Sequence, residues 1–130
     1  MPAWLSDEWV AASGEAVDLG TPLDATVEMA VLGVAGGDVR YHRSYRGGRV
    51  VDAGLGPAGA PDVTFTLPQA DAREVLAGRL DPSVAFMQGR LKTAGSNGMV
   101  LEVLAAWSSS SGRASIVRIR ELTDAVPAPS

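Results

Sequence analysis

Val63, Phe65 and Leu67 alternate with Asp62, Thr64 and Thr66, the two-residue period of a strand that buries one face. Pro68 ends the run, having no N–H to give to a ladder. A helical period follows at once. Ala72, Val75, Leu76 and Leu80 fall on one side of a helical repeat, while Arg73, Glu74 and Arg79 fall elsewhere. Gly78 stands where a glycine stops such a helix. Asp81 then suits an N-cap and Pro82 the first helical position. The short helix that follows carries Val84, Phe86 and Met87 and ends at Gly89; Leu91, between Arg90 and Lys92, opens another strand.

Upstream, Leu5 to Val10 reads as a helix start: Ser6 caps it, Asp7 and Glu8 suit the positive end of its dipole, and Leu5 staples onto Val10. Gly14 to Asp24 is a connector. Thr26 to Ala35 is strand-like, and Gly36-Gly37 is a two-residue hairpin signal. From Asp38 to Arg46 the pattern alternates, with Val39, Tyr41 and Tyr45 on one face and Arg40, His42, Ser44 and Arg46 on the other. Gly47-Gly48 marks a second hairpin leading into Arg49 to Ala53. Three strands joined by glycine pairs make an antiparallel meander, closed by the Gly/Pro loop Leu55 to Pro61.

Downstream, Met99, Val100, Val103, Leu104 and Trp107 recur along one helical face, with Glu102 opposite. Ser108 to Gly112 reads as a flexible low-complexity break. Val117 and Ile119 alternate with Arg118 and Arg120, so Ala114 to Leu122 reads as a last strand. A single domain spans residues 1–122, and residues 123–130 form a disordered tail.

The stretch Asp62 to Ser96 resembles the sterol carrier protein-2 (SCP2) family, in the manner of a small single-domain bacterial-type member. In that family a D-V-T-x-T-x strand precedes a glycine-ended helix, then D-P-x-x-A-F-M-x-G-[KR]-L-K and a closing x-x-G-D. This chain carries Asp81, Pro82, Ala85, Phe86, Met87, Gly89, Arg90, Leu91, Lys92 and Gly95 in those places, with Ser96 for the final acid. The resemblance implies an α/β (α+β) fold: a five-stranded, mainly antiparallel sheet with helices packed on one face. It also implies a helical tail where the alternation reads as strand. It further implies non-catalytic binding and transfer of an apolar lipid (fatty acid, fatty acyl-CoA or sterol-like) in a cavity between sheet and helices. Carried onto this chain, the lipid-binding residues are Phe65, Leu76, Leu80, Phe86, Met87, Leu91, Met99, Val100, Val103, Leu104 and Trp107. Its polar head would stay near the mouth beside an arginine. A filled core demands the same inward residues, so an interaction or accessory module with a collapsed pocket, docking a protein partner or forming a homodimer, stays open beside the carrier.

Composition narrows the chemistry. With 130 residues, 46% hydrophobic and 20% charged, the chain is long enough for one real core. A net charge of −4 argues against nucleic acid, whose phosphates need a basic footprint. No cysteine is present, which excludes disulfides and thiolate chemistry. His42 is the one histidine and its strand neighbours are cationic, so it reads as a solvated side chain; no catalytic residue, metal ligand or cofactor is expected. Arg40, Arg43, Arg46 and Arg49 cluster on one hairpin, as a solubilising edge or a surface for an acidic partner or lipid headgroups. No secretory signal, transmembrane segment or peroxisomal address is evident, and the expected location is cytoplasmic.

Overall fold

A computed structural model of the protein describes residues 1–124. Its elements are α1 (Asp7–Glu15), β1 (Ala25–Leu32), β2 (Val39–Arg46), β3 (Arg49–Leu55), β4 (Val63–Pro68), α2 (Gln69–Leu76), α3 (Pro82–Met87), β5 (Lys92–Gly95), α4 (Asn97–Ser108) and α5 (Ser110–Leu122). One sheet runs in the order β3-β2-β1-β4-β5. All neighbours are antiparallel except β1 and β4, which are parallel. The expected five-stranded, mainly antiparallel sheet with helices on one face is present.

Local chemistry explains most boundaries. The Ser6 hydroxyl accepts from the Trp9 N–H at 3.1 Å, and Leu5 and Val10 are both buried. Gly78, at φ +78°, ends α2 as anticipated: its N–H bonds Val75 O and the Arg79 N–H bonds Glu74 O, the double closure of a Schellman turn. Asp81 caps α3 through the Ser83 N–H at 2.8 Å, and Pro82 opens the helix. Ser96, where the family string has an acid, caps α4 through the Met99 N–H at 3.2 Å. A hydroxyl therefore fills the capping role at that position.

The second hairpin is a two-residue turn with Gly47 at φ +58° and Gly48 at φ +80°, the positive pair a twisted hairpin favours. The first is not. β1 stops at Leu32, and residues 33–38 form a longer loop that the Asp38 carboxylate ties together by accepting from the Gly33 N–H at 2.9 Å.

The end of the chain departs further from expectation. Residues 108–112 are a sharp corner between two helices, and 114–122 is helix, not strand. Ser109 ends α4 and caps α5: its hydroxyl donates to Ala106 O at 2.6 Å and accepts from the Gly112 N–H at 3.1 Å. A Cβ on Gly112 would collide with the carbonyls of Ala106 and Trp107, so the corner admits only glycine. Thr123, expected to begin a frayed tail, is buried: its hydroxyl accepts from the Trp9 indole N–H at 2.8 Å and donates to Ile119 O at 2.6 Å. Residues 125–130 of that expected tail lie outside the described residues.

Inward positions of the central strands, Val27, Val31, Val63, Phe65 and Leu67, form the floor of the core. The connection from β3 to β4 crosses the other face, where the Ala58 N–H and the Arg40 guanidinium both reach the carboxylate of Glu28. Among the described residues no helix is long and apolar enough to cross a membrane.

Candidate functional site

Between the sheet and α5 the core is hollow. A first chamber of about 100 Å³ is walled by Met29, Tyr41, Tyr45 and Leu67 from the strands and by Ser115, Ile116 and Ile119 from α5. A second, of about 80 Å³, lies toward Trp4, Trp9, Ala72 and Leu76. The two are neighbours, with Met29, Tyr41, Arg43, Leu67, Val75, Ile116 and Ile119 lining both. A wider groove of about 570 Å³ runs outside, between the turn 77–82 and α5. Val75, Pro82, Trp107 and Ile116 border both the groove and the first chamber. These four side chains therefore separate the first chamber from the groove by a single layer.

Polar bonds reinforce the core packing of Ile119 and Leu122 in holding α5 over this space. The Asp18 N–H donates to Ser115 Oγ at 3.1 Å. Arg118 Nε donates to Ala16 O at 2.9 Å, and Arg120 Nη1 to Ala77 O at 2.6 Å. With Thr123 and Trp9, these bonds tether the helix along most of its length.

The chambers are mostly apolar, and among the described residues one cation lines them. Arg43 projects from the inner face of β2, between Tyr41 and Tyr45, and is 9% exposed. Its guanidinium lies 5.6 Å from the Trp9 ring centroid and 5.2 Å from that of Tyr41, positions that favour cation–π attraction. Burial raises the pKa of the Tyr41 phenol, with Arg43 opposing the shift. The phenol therefore stays neutral at pH 7.

The arginine cluster anticipated on this hairpin is thus divided between faces. Arg43 is inside because alternation sends it inward, whereas Arg40 and Arg49 meet Glu28 and Asp18 outside. Arg40, Arg43 and Arg46 lie on β2, an interior strand, whereas Arg49 opens β3 at the sheet edge. His42 is on the outer face, its Nδ1 3.1 Å from Gly56 O and its Nε2 3.9 Å from Asp52. Trp9 is buried, and Trp4 is half-buried under Arg73.

The residues expected to line a cavity separate into three groups. Leu91 and Trp107 border the first chamber, Leu76 the second and Leu80 the outer groove. Phe65, Val100, Val103 and Leu104 are buried in solid core, and Met99 and Phe86 are half-buried against it. Met87 is 82% exposed: α3 has only six residues, and its single buried position is Ala85, so the last turn points Met87 outward. Sequence reasoning missed Tyr41, Arg43, Ser115, Ile116 and Ile119. The signals were present: odd positions of β2 share a face, and Ser109 with the 115/116/119/122 spacing is a capped amphipathic helix.

Comparison with known proteins gives a consistent picture. The model of the SCP-2 sterol transfer family matches residues 14–106. No curated protein sequence matches the chain. The solution structure of a conserved hypothetical protein from Thermus thermophilus, described as possibly a sterol carrier protein, is similar with TM-score 0.75 and 20% identity, over 97% of this chain and 92% of that one. A crystal structure of sterol carrier protein 2 is similar with TM-score 0.71 and 19% identity, over 93% and 99%. The solution structure of palmitated SCP2L2 from Aedes aegypti has TM-score 0.62 and 18% identity, over 78% and 90%. At these identities the structural likeness is one of fold.

Proposed function

The chain belongs to the SCP-2 sterol transfer family, and we propose that it is a non-catalytic carrier that binds and transfers one apolar lipid, with a fatty acyl chain as the preferred cargo. The observation that supports this reading is the adjacency of the spaces: two apolar chambers share a wall, and Val75, Pro82, Trp107 and Ile116 line both the first chamber and the outer groove. The palmitated state of the mosquito neighbour supports an acyl chain over a sterol. So does size, because pockets that enclose a bulky small ligand measure about 300 Å³ or more. A flexible chain needs less width. It can thread the chambers and extend into the groove.

Transfer of apolar surface out of water contributes about 0.8 kcal/mol per methylene. About ten buried methylenes therefore supply about 8 kcal/mol gross, part of which offsets the ordering of the chain and the loss of its free motion. Give in the α5 tethers would let the wall widen as the chain enters. Leu76, Leu80, Leu91 and Trp107 contact the chain in this reading, and Phe65, Val100, Val103 and Leu104 support the wall behind it.

Native mass spectrometry of the protein purified from its own host, followed by lipid extraction, tests the assignment. A bound lipid and displacement of a fluorescent fatty acid at micromolar concentration are expected. A ligand-free mass together with no displacement would reject the carrier and leave a scaffold domain.

A further inference from the structure

Most arginines near the surface have a partner that explains them, but the cation between sheet and α5 does not. Arg40, Arg49, Arg79, Arg90 and Arg113 each meet a carboxylate. Arg43, more deeply buried than any of them, has no carboxylate within ion-pair reach among the described residues. Its one hydrogen bond there runs from Nη2 to Ser13 Oγ at 2.5 Å, and Ser13 is neutral. Its Nε is buried with no partner. Tyr41, the nearest acidic group, is kept protonated by burial. A guanidinium has five N–H donors and keeps its charge. Holding it in an apolar interior without an anion is strongly unfavourable, and natural interiors pair such groups.

Among the described residues Arg43 is also the only charged side chain that lines either chamber. We infer that Arg43 is the anchor for the acidic head of the bound lipid, a long-chain carboxylate that enters head-first and leaves its alkyl chain beside Ile116. This rests on the carrier reading above and deepens it. A guanidinium makes charge-assisted hydrogen bonds to a carboxylate, which would supply the counter-charge that Arg43, bonded only to the neutral Ser13, lacks among the described residues. The head therefore lies deep in the interior instead of at the mouth. The same geometry disfavours the other cargoes: a sterol hydroxyl brings no charge, and the coenzyme A portion of a thioester is far larger than a chamber of about 100 Å³.

The delipidated full chain is titrated calorimetrically with palmitic acid and with methyl palmitate, which share a chain and differ in headgroup charge. The wild-type protein is expected to bind the acid about tenfold or more tightly than the ester. Arg43→Met should remove that preference by weakening the acid alone. A second measurement needs no variant. With palmitate labelled by carbon-13 at the carboxyl, a soluble gadolinium chelate should leave the bound headgroup resonance sharp. Equal affinity for acid and ester, an acid preference that survives Arg43→Met, or a headgroup broadened by the chelate each overturns the anchor while leaving a lipid carrier in place. Failure of both ligands to bind overturns the carrier and the anchor together.

Discussion

The interior under α4 and the interior under α5 differ in their side chains, and the first is packed where the second leaves space. Under α4, Val100, Val103 and Leu104 are buried, and the Trp107 ring meets Phe65 at 5.0 Å between centroids. Aliphatic knobs meet a smooth β surface there and interlock at the density of a normal core. Under α5 the sheet presents Met29, Tyr41, Arg43 and Tyr45, long side chains, most with polar ends, that do not interdigitate. Facing them on α5, Gly112 and Ser115 stand beside Ile116 and Ile119 and contribute little volume to the gap. Collapse is prevented from the flanks, because Ser115, Arg118, Arg120 and Thr123 bond to Asp18, Ala16, Ala77 and Trp9. Directional bonds help to set the distance of α5 from the sheet; contact between apolar surfaces sets that of α4.

The sharpest way to break this contrast is to charge the solid side. Val103 is fully buried, and Val103→Asp leaves a carboxylate without a partner there. A loss of more than about 4 kcal/mol is expected, seen as a chain unfolded at room temperature; an unchanged melting curve would mean that α4 is not packed as described. Truncation compares the two sides directly. Phe65→Ala should cost about 3–5 kcal/mol, whereas Ile116→Ala, beside space that is already empty, should cost about 1 kcal/mol. Urea titrations of both variants decide it, and equal losses would remove the distinction.

The tethers come next. Ser115→Ala strands the Asp18 N–H, so about 1–3 kcal/mol should be lost. α5 should also settle toward the sheet, with weaker fatty-acid uptake as the second readout. The smallest effect concerns pH. The Tyr41 phenol has its pKa raised by burial, so above the ordinary tyrosine range the unfolded chain loses this proton and the folded one retains it. Stability that is complete below about pH 10 should therefore decline as the pH rises further. Thermal melts of Tyr41→Phe should show a shallower alkaline decline than wild type, with little change at pH 7.

Much of this molecule can be read from local chemistry. Alternation locates the strands around Phe65 and Tyr41, and Ser6, Asp81 and Ser96 announce their helices because a cap acts within three residues of itself. Gly78 announces a helix end for the same reason. The α5 segment misleads because Arg118 and Arg120 flank Ile119 in a way that satisfies a two-residue period as well as a helical one. Burial of Thr123 and Ser115, both bonded to partners more than 90 positions away, resolves it as helix. Arg43 shows the same divide. Its inward side is legible from Tyr41 and Tyr45, but its isolation from every carboxylate among the described residues is not.

Element identity and the apolar face of each element follow from neighbours a few positions apart, and for those the amino-acid order is sufficient. Whether facing apolar surfaces touch depends on where distant hydrogen bonds hold them. With α5 tethered from its flanks, side chains that would otherwise meet become the walls of a chamber.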